Sequence, residues 1–194
     1  MPLLPREPFV FPDHLLTTAP PPEDEGCWWV LHTRPRAEKA LARKILRSGL
    51  SFFLPLYKRQ WRSRGRLLSS YNPLFTGYVF LHGTGEARRQ ALETNLVANC
   101  LPVPDQAQLH SDLFGVHQLM TSGSSLSPEE RLQPGTPVEI IAGALAGLEG
   151  TLLRTGTRMR FYVEVKFLQR GVSAELEGWM IRPLGAPRPA RTPA

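Results

Sequence analysis

Pro73-Leu-Phe-Thr-Gly-Tyr-Val-Phe80 is the stretch whose reading decides the fold. Proline and glycine frame a short aromatic and β-branched run, the composition of a strand entered through a turn. Alternation along that strand puts Tyr78 and Phe80 on one face and Val79 and Leu81 on the other. One set fills a core. The other needs a helix or a partner to cover it.

Upstream of this stretch, Cys27 to His32 reads as a strong strand, and Pro35 suits the first turn of a helix over residues 35–48. Ala37, Leu41 and Ile45 share one side of that helix, while Arg36, Lys39, Arg43 and Arg47 form a stripe on the other. Ser48-Gly49 ends it. Phe52 to Leu56 reads as a second strand. Lys58 to Arg62 and Arg66 to Leu68 are hairpin arms around the basic turn Ser63-Arg-Gly65.

Downstream, the aromatic strand (76–82) is followed by a short helix (86–94), a weaker strand (96–102) and a helix over 105–121. Leu109, Leu113, Val116 and Leu119 have near-helical spacing in that last helix, and Gly115 interrupts it. Thr121-Ser-Gly-Ser-Ser-Leu-Ser-Pro128 breaks the composition and reads as a linker. Beyond it come short strands only, at 136–142, 150–154, 159–168, 172–176 and 179–183. Phe161, Val163, Val165 and Phe167 share one face of the longest. Five short strands separated by glycine-containing turns predict a small barrel. The expected organisation is therefore an α+β chain: a proline-rich disordered leader (1–25), a mixed α/β domain (26–121), a linker (122–133), an all-β domain (134–185) and a tail (186–194).

The 194-residue chain is 42% hydrophobic and 21% charged, with a net charge of +6. Its positive charge is concentrated in residues 26–121, which hold thirteen Lys/Arg against five acids, while 134–185 is nearly balanced at six against five. Between Arg34 and Arg66 only Glu38 opposes eleven cations, a density suited to phosphate. Cys27 and Cys100 are too few for a disulfide framework and lack zinc-site spacing. Neither a secretory leader nor a membrane-length apolar run is present, so a cytoplasmic location is expected.

The chemistry of catalysis is not found. His14, His32, His82, His110 and His117 are scattered without metal-site spacing, and no phosphate loop or nucleophile elbow occurs. Glycines 143, 147 and 150 are turn residues in a strand-rich segment. The chain is read as a non-enzyme without metal or cofactor.

The first domain resembles the N-terminal (NGN) domain of the NusG/RfaH transcription elongation factors. The resemblance is carried by Trp28-Trp-Val-Leu31, Ala37-Glu-Lys39, Pro55-Leu56 and Pro73-Leu-Phe-Thr-Gly-Tyr-Val-Phe80. The second is similar to a KOW domain in Gly135-Thr-Pro-Val-Glu-Ile-Ile-Ala-Gly143, Leu145-Ala-Gly-Leu-Glu-Gly150 and a valine-rich strand. Residues 96–106 depart from the family pattern. The resemblance implies a ferredoxin-like NGN domain followed by an SH3-like β-barrel, in a monomeric, non-catalytic elongation, antitermination or termination factor. It implies that an apolar pocket of His32, Tyr78, Phe80, Val116 and Leu119 grips the clamp helices of RNA polymerase. Arg34, Arg36, Lys39 and Arg43 would track the non-template DNA strand of the transcription bubble. Lys58, Arg59, Arg62, Arg64 and Arg66, with Trp61 to stack on a base, would extend that surface. Leu145, Phe167, Leu168 and Arg170 would dock a small-subunit ribosomal protein or Rho.

Bland readings stand beside these. Tyr78 and Phe80 are as well suited to packing under a helix, Phe167 to a barrel core, and a charged helix side to solvation. A different function class, a KOW-containing RNA-binding protein of the ribosome or its assembly, predicts salt-sensitive binding to free RNA.

Overall fold

The computed structural model describes residues 8–17, 19–20, 26–129, 135–155, 158–175 and 181–184. In chain order the first unit contains β1 (Val10–Phe11), β2 (Cys27–Thr33), α1 (Glu38–Arg47), β3 (Ser51–Phe53), β4 (Leu56–Ser63), β5 (Arg66–Pro73), β6 (Tyr78–Gly83), α2 (Gly85–Glu93), β7 (Val97–Pro102) and α3 (Gln106–Thr121). The second contains β8 (Leu126–Glu129), β9 (Thr136–Ile140), β10 (Glu149–Thr155), β11 (Arg158–Val165), a 3-10 turn (Lys166–Leu168), β12 (Arg170–Glu175) and β13 (Ile181–Pro183).

The aromatic strand β6 lies at the centre of a five-stranded antiparallel sheet of order β1-β3-β6-β2-β7. Its two faces feed two cores, as alternation requires. Phe80 joins Trp28, Val30 and Phe53 in a cluster under α3, whereas Val79 and Leu81 join Leu31 and Phe52 under α1 and α2. Helix α1 lays Leu41, Ala42 and Ile45 on that second cluster. The fully buried Leu41 and Ile45 side chains are each worth about 1.5–3 kcal/mol. The helix stops in a Schellman arrangement, in which Leu50 N–H donates to Ile45 O (3.0 Å) and Gly49 N–H to Leu46 O (2.9 Å), with Gly49 at φ +69°. Helix α3 is stapled to β2 by one side chain. Gln106 Oε1 accepts from Trp28 N–H (2.6 Å) and Gln106 Nε2 donates to Trp28 O (3.1 Å).

Three expectations about organisation change. Part of the leader is ordered structure: β1 pairs with β3 in the register Val10↔Phe53, and Leu15 and Leu16 are buried in the α3 cluster. His110 Nε2 lies 2.8 Å from Thr17 O, tying this strap to α3. Proline content masked an apolar sequence (Phe9, Val10, Phe11, Leu15, Leu16) whose burial holds it down. The expected linker likewise contains β8, which pairs with β12 from Leu126↔Ala174 to Glu129↔Gly171, and Pro128 is tolerated because β8 is an edge strand. Finally, the all-β unit forms a six-stranded sheet of order β13-β9-β10-β11-β12-β8, and among the described residues no pairing closes it into the expected barrel. Part of its apolar face is covered by α3 instead of by its own curvature. The tail, residues 1–7 and 21–25 of the leader, and residues 179–180 of the last expected strand lie outside the described residues.

Candidate functional site

The turn before β6 fixes the position of Tyr78. Gly77 sits at φ +85°, where a side chain is strained, and both of its backbone groups are used. Its N–H donates to Glu38 Oε1 (2.8 Å), and its carbonyl accepts from Thr33 N–H (2.8 Å). Glu38 is 5% exposed, so the one acid opposing the basic stripe is spent on holding this turn. The result sets the Tyr78 and His32 rings 5.2 Å apart, tilted by 35°. On its other side the Arg170 guanidinium lies 5.5 Å from the Tyr78 ring centroid, within cation–π reach, and Arg170 Nη1 donates to Thr76 O (3.4 Å). Arg170 belongs to the second unit.

Phe80 packs edge-on to Phe75 (5.9 Å, 90°) and beside Phe53 (6.3 Å). Phe80, Val116 and Leu119 are each 0% exposed, in one cluster with Leu145, Leu148, Phe161 and Val163 of the second unit. The open apolar pocket expected from His32, Tyr78, Phe80, Val116 and Leu119 is therefore closed. Of the five, His32 is exposed and Tyr78 partly so. The physical reason is complementarity: an apolar sheet face from the second unit removes the same surface from water that a partner would.

Two residues of α3 make this closure close-fitting. A Cβ added at Gly115 would stand 3.2 Å from Val163 Cγ1 and 3.3 Å from Leu148 Cδ1, so the bare glycine lets the helix approach the second sheet. One turn earlier, the Asp112 carboxylate accepts from Lys166 N–H (2.9 Å) and Gln108 Nε2 (2.7 Å). Lys166 Nζ donates to Gln108 Oε1 (3.0 Å). Burial pushes the Asp112 carboxyl above its ordinary range, against the opposing pull of the Lys166 amide. A cleft of about 480 Å³ remains along this seam, lined by Asp112, Gly115, Gln118, Leu148 and Tyr162 among others. Sequence reasoning missed both residues. The available signals were an acid on an apolar helix face and a mid-helix glycine.

The basic residues lie on the opposite side of the sheet. Arg34, Arg36 and Arg43 are exposed and Lys39 is half-buried, and the helix that carries the last two turns its apolar side to the α1–α2 core. Arg34 N–H donates to Leu96 O (2.9 Å), which ties the start of the stripe to the segment entering β7. The hairpin β4–β5 forms a two-stranded sheet of its own, bearing exposed Lys58, Arg59, Arg62, Arg64 and Arg66.

The residues expected to form an exposed partner patch on the second unit do not do so together. Leu145 is 6% exposed and buried in the shared cluster, Phe167 and Leu168 pack against it half-buried, and Arg170 covers Tyr78. Docking on the first unit takes up this surface. Among the described residues no group of three His, Cys, Asp or Glu side chains is arranged to hold a metal ion, and no helix is long and apolar enough to cross a membrane.

Comparison with known proteins finds a likeness in the first unit. Residues 26–111 match the family model described as transcription termination factor NusG. Among solved structures, one titled "Domain interaction in Thermotoga maritima NusG" is 17% identical, covering 83% of this chain and 98% of that one at a TM-score of 0.49. Two conformations of an MjSpt4:Spt5 complex are 16% and 15% identical, each covering 81% of this chain and 97% and 96% of theirs, with TM-scores of 0.28 and 0.27. The search of curated proteins gives no match.

Proposed function

We propose that the protein is a non-catalytic transcription elongation or antitermination factor whose polymerase-binding face is held shut by its own second unit. When that unit lifts, Tyr78, Phe80, Val116 and Leu119 form an apolar seat for the clamp helices of RNA polymerase, with His32 at its rim. Arg34, Arg36, Lys39 and Arg43, across the sheet, then face bubble DNA. The second unit, a KOW domain in this reading, is freed with Leu145, Phe167, Leu168 and Arg170 uncovered for a ribosomal protein or Rho. Closed and open forms are two states of one molecule, and polymerase selects the open one.

One observation carries the reading. The α3 face of the first unit is completed by Leu145, Leu148, Phe161 and Val163 from outside that unit. A face that needs a cover is a face that a partner can occupy. The near-balanced charge of residues 134–185 gives the alternative, a KOW protein bound to RNA through this second unit, no electrostatic support.

Retention on immobilised clamp helices tests the proposal. Wild type is retained weakly, a Gly115→Leu variant that opposes docking is retained more strongly, and Tyr78→Ala in that background abolishes the gain. Equal retention of all three refutes it.

A further inference from the structure

A cavity where β2 begins and β6 ends belongs to neither the apolar seat nor the seam. It measures about 420 Å³, within the span of roughly 300–1,000 Å³ common among small-molecule sites. Its walls come from Pro20 of the leader, Cys27 and Trp28 of β2, His82 and Gly83 of β6, Thr84 before α2, and Ala107 of α3. Close backbone packing sets its shape. A Cβ built on Gly26 would stand 2.2 Å from the Gly83 carbonyl carbon, and one on Gly83 would stand 2.8 Å from Ala87 Cβ. Bare backbone at both positions brings the first turn of α2 down onto the end of the sheet.

The polar groups around the cavity are mostly donors. Trp28 and His82 are cross-strand partners, on one face of the sheet, with their rings edge-on at 5.1 Å. Both are buried, at 2% and 6% exposure, and the Trp28 indole N–H has no hydrogen-bond partner. Native proteins rarely leave a donor at that depth unpaired. The two helices that start beside the cavity differ. Helix α3 is capped by Asp105, whose carboxylate accepts from Gln108 N–H (2.9 Å). Helix α2 follows Thr84, whose side chain makes no cap bond, so its first-turn N–H groups are open and carry the positive end of the helix dipole. The Gly83 carbonyl is taken by Trp29 Nε1 (3.3 Å). Burial, helped by Cys100, holds the Cys27 thiol above its ordinary pKa, so it adds no negative charge. Among the described residues that line the cavity there is no Asp, Glu, Lys or Arg.

We infer that this cavity is a binding site for a small carboxylate with an apolar body, one oxygen accepting from the Trp28 indole N–H and the other from the open first turn of α2, with the body against Pro20 and Ala107. A phosphate fits less well, because it carries more charge into a site where no lining Arg or Lys meets it. The inference is independent of the clamp reading, since it uses no residue of the seat or the seam.

The test titrates the full chain with benzoate at constant ionic strength and follows it by NMR. Benzoate binds saturably and moves the Trp28 indole N–H together with the Gly85, Glu86 and Ala87 amides, while the Trp61 indole stays in place. Benzamide, equal in shape and uncharged, binds at least roughly tenfold more weakly, and Trp28→Phe, which keeps an aromatic ring and removes the donor, weakens benzoate roughly tenfold to a hundredfold. Ala107 is exposed, so Ala107→Leu keeps the fold while narrowing the cavity, and its loss of benzoate binding decides the matter should Trp28→Phe prove unstable. Absence of a saturable shift with benzoate overturns the inference. So does equal affinity for benzamide, wild-type affinity in Ala107→Leu, or tighter binding of inorganic phosphate than of benzoate.

Discussion

Replacing Gly115 by leucine tests the docked arrangement most directly. The position lies in the middle of α3, where a single added Cβ already meets Val163 at 3.2 Å and Leu148 at 3.3 Å. Ordinary carbon contacts lie near 3.5–4.0 Å. For Gly115→Ala the neighbours need yield only a few tenths of an ångström, and the gain in helix propensity of about 1 kcal/mol leaves overall stability within about that amount of wild type. Leucine adds three more carbons beyond a Cβ that already presses on Val163 and Leu148, an overpacking of about 1–3 kcal/mol. Its helix propensity improves α3 equally whether the second unit is docked or free, so that term drops out of the docking equilibrium. Only the steric term remains, worth roughly 5- to 150-fold toward the undocked form. Amide relaxation measured by NMR reads this out. In wild type, α3 and β11 amides share one rotational correlation time, and in Gly115→Leu they acquire two, with the secondary structure of each unit intact. Joint tumbling in the leucine variant, at an unchanged melting temperature, would refute the reasoning.

Three further outcomes follow from named contacts. Phe80→Ala, which empties a fully buried site between Phe53 and Phe75, lowers the unfolding free energy in urea by about 3–5 kcal/mol. Asp112→Ala leaves the Lys166 amide without its acceptor and weakens docking by about 1–3 kcal/mol, whereas Asp112→Asn keeps an acceptor and is the milder change on the same NMR readout. Burial lowers the pKa of His82, aided by His110, and of His117 from the ordinary 6.5. A histidine with a depressed folded-state value stabilises the fold fully above its unfolded pKa and loses that contribution as pH falls. Thermal stability therefore declines below about pH 6.5, and His117→Gln flattens the decline. A melting temperature that holds level down to pH 5 in wild type contradicts this assignment.

Elements whose cause is local were legible from residues alone. The two faces of β6, the apolar side of α1 and its Gly49 stop, and the hairpin turn at Arg64-Gly65 each follow from the spacing of a few neighbouring side chains. What was not legible depends on residues far apart in the chain. Val10 and Phe11 form an edge strand because β3 offers a free edge, and α3 offers His117 to Phe9 before it and His110 to Thr17 after it. Leu126 to Glu129 looks like a spacer until β12 pairs with it. Leu145, expected on the surface, is buried because the surface it would have exposed meets another apolar one. Gly115 carried a visible oddity, but its meaning lies in Val163 and Leu148, some fifty and thirty residues downstream in the second unit. The basic stripe and the aromatic strand were recognisable individually. That they stand on opposite sides of one sheet, joined through Glu38 and Gly77, is a fact of topology.

The strap formed by residues 8–17 has a practical consequence for anyone preparing this protein. A recombinant fragment trimmed to begin at Gly26, the natural cut suggested by the family match, would strip β1 from the sheet and leave the backbone of Ser51–Phe53 unpaired along an outer margin. It would also bare the oily side of α3 that Leu15 and Leu16 normally roof. A naked strand margin beside a greasy patch invites copies to stick to one another. Such a fragment would precipitate where the longer chain stays in solution, and the loss would be mistaken for misfolding of the core.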